Sequence, residues 1–170
     1  MDNARWAVSR ARLRLDLFRL VCSIYASDGF EDDVISSPSL VELEVEFWDM
    51  EVEHSLVAVA GIVRVLFDQT SPRPPEARSE CGDLVVDEAK PSEGRRLTVR
   101  EACNKILHAD RRAFVNAHDL DCDPPERRFW VKLEGVQLDR QRWTASVDLL
   151  AFVRAIADFT SSGAPAREAP

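Results

Sequence analysis

No apolar run of about 18 residues, the length a membrane-spanning helix needs, occurs in this 170-residue chain. The opening stretch MDNARWAVSRARLRLDLFRL carries arginines where a secretory signal would be apolar, so no leader is expected. The chain has four cysteines, Cys22, Cys81, Cys103 and Cys122, and none forms a CxxC pair. Free thiols in a reducing cytoplasm are therefore expected, with no membrane partner. There is no glycine-rich phosphate loop and no GxSxG elbow, which removes the commonest nucleotide and hydrolase signatures.

Basic residues are absent between Arg19 and Arg64, while ten acidic residues fall from Asp28 to Glu53. With 22 basic and 30 acidic residues the net charge is −8, which argues against non-specific binding to nucleic acid or anionic membrane. A local basic face could still hold a phosphate backbone. The length suits one domain with a core of its own, needing neither disulfide nor metal. We expect that domain over residues 1–160, with 161–170 a flexible tail.

Hydrophobic spacing predicts a first helix over residues 4–26, through Trp6, Leu13, Leu17, Leu20, Val21 and Ile24, ended by Asp28-Gly29. Ser37-Pro38 opens a second helix running to Phe67, because Leu40, Leu43, Phe47, Met50, His54 and Val57 step by three and four. Gly61 inside it would mark a bend or a close crossing. The first helix carries five arginines against Asp16 alone, so an antiparallel pair with oppositely charged margins is expected. Pro72, Pro74 and Pro75 then exclude helix from the connection that follows. Leu84-Val85-Val86 is too short to be more than a possible strand.

Thr98 and Glu101 form a capping-box pair that starts a third helix extending to about Ala113. On it Arg100, Asn104, His108 and Arg112 step by four along one polar stripe. The period then changes to two around Phe129–Leu133 and Trp143–Leu149, a hairpin signal, and Asp148 can cap a last helix to about Thr160. Phe129, Trp130 and Trp143 near several arginines could stack bases, but one buried strand face explains the same residues. Asp119, Asp121 and Asp123 lack the glycine and closing glutamate of a calcium loop, and His108, His118 and Cys122 match no familiar zinc spacing. We expect no metal and no cofactor.

The run Cys103-Asn104-Lys105-Ile106-Leu107-His108 resembles the signature of HEPN domains, small helical bundles many of which are metal-independent ribonucleases. Members often carry Arg-Asn-Lys-x-x-His; asparagine, lysine and histidine match here, and Cys103 stands where the arginine belongs. The resemblance implies a mainly α (α+β) fold: a HEPN-like helical bundle over about residues 4–115, followed by the C-terminal β-hairpin and terminal helix. In active members two motifs meet across a dimer, with histidine assisting proton transfer and arginine stabilising the charged phosphorane-like state. A thiol has no permanent charge and no fork of donors to replace a guanidinium.

Three readings follow. The first is a divergent HEPN-like homodimer that binds RNA or a protein without catalysis, using Arg100, Lys105 and Arg111 as phosphate contacts. The second is an endoribonuclease of toxin or phage-defence type with His108 and Asn104 as catalytic residues and Arg112 standing in for the lost arginine. In the third, the chain is an interaction domain and the run is coincidence.

Overall fold

A computed structural model describes residues 3–34, 37–87, 90–115, 129–137 and 140–161. The helices are α1 (Asn3–Val34), α2 (Pro38–Gln69), α3 (Val99–His108) and α4 (Leu149–Ser161). The strands are β1 (Glu80–Val85), β2 (Arg95–Thr98), β3 (Arg111–Val115), β4 (Trp130–Val136) and β5 (Arg142–Asp148). Short 3-10 turns at Pro75–Arg78 and Pro91–Glu93 flank β1.

This architecture corrects the expectation of a helical bundle with an appended hairpin. The strands form one five-stranded antiparallel sheet in the order β2-β1-β5-β4-β3, so the hairpin is the centre of a sheet and not an extension. Its period-two pattern is realised: Val131 and Leu133 of β4 and Trp143, Ala145 and Val147 of β5 are buried, while Lys132 and Arg142 are exposed. One face is thus covered and the other wet. Helices α3 and α4 contact the sheet, α2 packs on α3, and α1 packs on α4 and α2. A single hydrophobic cluster runs from Leu13 through Phe67, Leu97, Ile106 and Val131 to Phe159.

Several boundaries differ from expectation for identifiable reasons. The backbone of α1 continues through Gly29 to Val34; one helical glycine costs only about 1 kcal/mol relative to alanine. In α2, Pro38 sits at the helix start as expected. Gly61 marks no close crossing, since a Cβ there would meet only the Leu107 Cδ2 at 3.9 Å.

Charged margins do not join the described side chains of α1 and α2. Among the described residues no salt bridge joins the two helices: Arg12 and Arg19 turn to Asp16 on their own helix. Apolar packing and a hydrogen bond from Trp48 Nε1 to the Ser23 carbonyl, 2.8 Å, join them instead. At the far end, Asp148 accepts from the Ala151 amide at 2.9 Å and so caps α4.

Candidate functional site: the cleft beside helix α3

Helix α3 begins where the sequence places it. The Glu101 amide donates to Thr98 Oγ1 at 3.4 Å and the Thr98 amide donates to Glu101 Oε2 at 3.2 Å, closing the capping box. Arg95 then grips Glu101 with two parallel bonds of 3.0 and 2.6 Å. This fork, helped by the donors of Thr98, holds the Glu101 carboxyl down at about 2 against burial. A depressed carboxyl contributes stability that is complete above its ordinary 4.5 and lost as pH falls toward about 2. Arg95 is exposed and Glu101 partly so, and water screens the pair; Glu101→Gln is expected to cost on the order of 1–2 kcal/mol near neutrality. Urea unfolding over a pH series should show the gap between the two proteins closing across that acid window.

The helix is sharply two-sided. Val99, Ala102, Cys103 and Ile106 are fully buried, and Asn104, Lys105 and His108 face a cleft of about 1040 Å³. Its other lining comes from Leu84 of β1 and Val86 just after it, from Arg95 and Glu101, and from Val136, Gln137 and Trp143 of the β4–β5 hairpin. His108, the last residue of α3, is exposed. The Lys105 Nζ lies over the Trp143 ring, 3.9 Å from its centroid. Burial and the nearby Arg95 guanidinium lower the Lys105 pKa, with Glu101 opposing. Asn104 Oδ1 accepts a short hydrogen bond from Arg64 Nε.

The polar stripe does not continue to Arg112. Helix α3 stops at His108, and the Asp110 amide donates to the Glu134 carbonyl at 2.9 Å, starting the pairing of β3 with β4. Arg112 lies on β3, where its guanidinium donates twice to the Ile106 carbonyl (3.1 and 2.7 Å) and to Glu53 at 2.8 Å. It therefore closes the end of α3 and ties it to α2. Arg111 lies on the same strand beside a smaller depression of about 160 Å³, with Asp110 and Glu134 alongside.

The other members of the basic group are also engaged. Arg100 pairs with Asp68 at 3.0 Å, and with Arg64 it holds that carboxyl below the usual carboxylate range. Arg96 pairs with Glu80 at 3.2 Å and Asp83 at 3.0 Å. Cys103 is 0% exposed, and burial pushes its thiol up to about 12, so it is neither a nucleophile nor a substitute for a surface cation.

Asn104, Lys105 and His108 are thus brought together, while Arg100, Arg111 and Arg112 are drawn elsewhere. Of the two readings open to Trp143, base stacking or a buried strand face, strand alternation places it inward, and it is only 2% exposed. The proximity of Gly135, where a Cβ would sit 2.4 Å from the indole, shows how closely the ring packs. Trp143 and the equally buried Phe129 therefore form no open platform for bases. The aspartates Asp119, Asp121 and Asp123, with His118 and Cys122, lie outside the described residues. Among the described residues no cluster has the makeup of a metal site, and no helix is long and apolar enough to cross a membrane.

No family model, curated protein or solved structure matches the chain. The likeness to HEPN domains accordingly rests on the Asn-Lys-x-x-His run alone.

Proposed function

We propose that this chain is a non-catalytic binding module that takes its ligand in the cleft beside α3. The observation that carries the reading is the division of the motif by α3: Asn104, Lys105 and His108 open on a cleft, whereas Cys103 faces the core. A ribonuclease of the kind the motif suggests needs a guanidinium near the imidazole. Arg112, the one stand-in for it, is committed to the Ile106 carbonyl and Glu53.

Nucleic acid is the weaker choice of ligand. A phosphate backbone is held by several cations at once, each releasing counterions. Of the basic residues on and around α3, Arg95, Arg96, Arg100 and Arg112 already hold carboxylates, which leaves Lys105 and Arg111 without one among the described residues. Incubation of the purified protein with a mixed RNA pool at low salt is expected to give neither cleavage nor salt-sensitive retention. Metal-independent cleavage that disappears in His108→Ala would overturn the reading in favour of the nuclease.

The same reading includes a homodimer. Leu15, Phe18 and Tyr25 on α1 and Leu43, Phe47 and Met50 on α2 are exposed at helical spacing. The first stripe lies among arginines and the second among carboxylates, so the two complement each other between copies. Light scattering is expected to return twice the chain mass, reduced to the single mass in Phe18→Glu.

A further inference from the structure

The lining of the cleft is lopsided in a way that selects a ligand class. On its polar wall, Arg95 and Glu101 satisfy one another through their paired bonds and cancel in charge. Among the described lining residues Lys105 is then left as the uncompensated formal charge, in a protein whose net charge is −8. It has no carboxylate partner among the described residues, and its ammonium rests against the indole of Trp143. Asn104 spends its amide oxygen on Arg64, which leaves the amide N–H groups as its remaining donors. His108 adds a ring N–H at the exposed end of the same wall. The apolar members of the same lining are Leu84, Val86, Val136 and Trp143, of which Val136 is the most exposed.

An ammonium, an amide and an imidazole beside aliphatic carbon match a molecule with an anionic head and an apolar body. We propose that the cleft binds a small amphipathic carboxylate, its head on Lys105 and Asn104 and its body along Val136 and Val86. The inference rests on the cleft being the binding site and adds the chemistry of what enters. A free fatty or aryl carboxylate and the C-terminus of an apolar peptide share that chemistry. A charge-assisted hydrogen bond of about 1.5–3 kcal/mol corresponds to roughly a ten- to hundredfold change in affinity.

The test is a titration of the full chain, followed by tryptophan emission, with decanoate, decan-1-ol and decylamine below their aggregation limits. A parallel arm uses an apolar tetrapeptide with a free or an amidated C-terminus. Saturable binding of decanoate, of the free-acid peptide, or of both is expected, and it identifies the source. The alcohol, the amine and the amide should bind at least about tenfold more weakly, and Lys105→Met should lose a similar factor with an unchanged thermal melt. Val136→Asp, at a half-exposed position on the apolar side, should weaken the same ligands by repelling both head and body. Equal binding of decanoate and decanol that Val136→Asp still weakens would overturn the anion class and leave the cleft a binding site. No saturable binding of any of the five compounds would overturn both.

Discussion

Replacing Cys103 by arginine, which would restore the residue the motif lacks, is expected to unfold the protein and not to create a nuclease. The side chain of residue 103 has no exposed surface and sits among Val99, Ala102 and Ile106 on the core face of α3. A guanidinium there adds several heavy atoms to a packed interior, which commonly costs about 1–3 kcal/mol. It also buries a charge without a partner, which costs several more. The neighbourhood is hostile in sign as well, because Arg64 and Arg100 already act on this site as cations. The sum, on the order of 4 kcal/mol or more, is comparable to the whole stability of many domains. Urea unfolding of Cys103→Arg beside Cys103→Ala measures it, the alanine variant being expected to lose only about 1 kcal/mol. A folded arginine variant that cuts RNA would show that α3 can turn this position outward.

Gly82→Ala should be nearly as damaging. Gly82 has φ +155° and lies at the irregular step where β1 shifts register against β2 while pairing with β5 at Val147. A Cβ at this position would stand 1.9 Å from the Ser146 carbonyl oxygen, which belongs to the backbone of the neighbouring strand. No rotamer change relieves that contact, so β1 would have to leave β5 in the middle of the sheet. Backbone strain of this kind costs about 1–3 kcal/mol before the lost pairing is counted, and we expect a loss of roughly 3 kcal/mol or more. Gly61→Ala supplies the opposite sign from the same side-chain change. In α2 the added methyl makes ordinary contact, and removing a helical glycine should stabilise by about 0.5–1 kcal/mol. Thermal melts of the two variants on either side of the wild type would confirm both assignments.

What could be read from the sequence was what local pattern controls. The capping residues Thr98 and Glu101, the Pro38 start, the alternation of β4 and β5 and the Asp148 cap are each fixed by residues a few positions apart. What escaped was set by distant partners. Nothing within Arg111–Val115 distinguishes a strand from one more turn of α3, and a four-residue step carries the stripe straight across it. The decision belongs to β4, which pairs Arg112 with Leu133 and Phe114 with Val131. Strand β2 was hidden likewise and β1 showed only as the short run Leu84-Val85-Val86, because Gly82 and the double arginine give no alternation, and each is completed only against its neighbours. The site divides in the same way. The clustering of Asn104, Lys105 and His108 follows from helical spacing, whereas their cleft exists only because Trp143 and Val136 arrive from the hairpin.

Both outer margins of the sheet, β2 and β3, begin with two consecutive arginines, Arg95-Arg96 and Arg111-Arg112. Unpaired strand rims invite further strands to add, and in excess such addition leads to fibres. Here Arg95, Arg96 and Arg111 stand exposed on rims only four or five residues long, while Arg112 turns inward to the Ile106 carbonyl and Glu53. A strand added to either margin would have to accommodate these charged side chains, which disfavours growth of the sheet from the rims described.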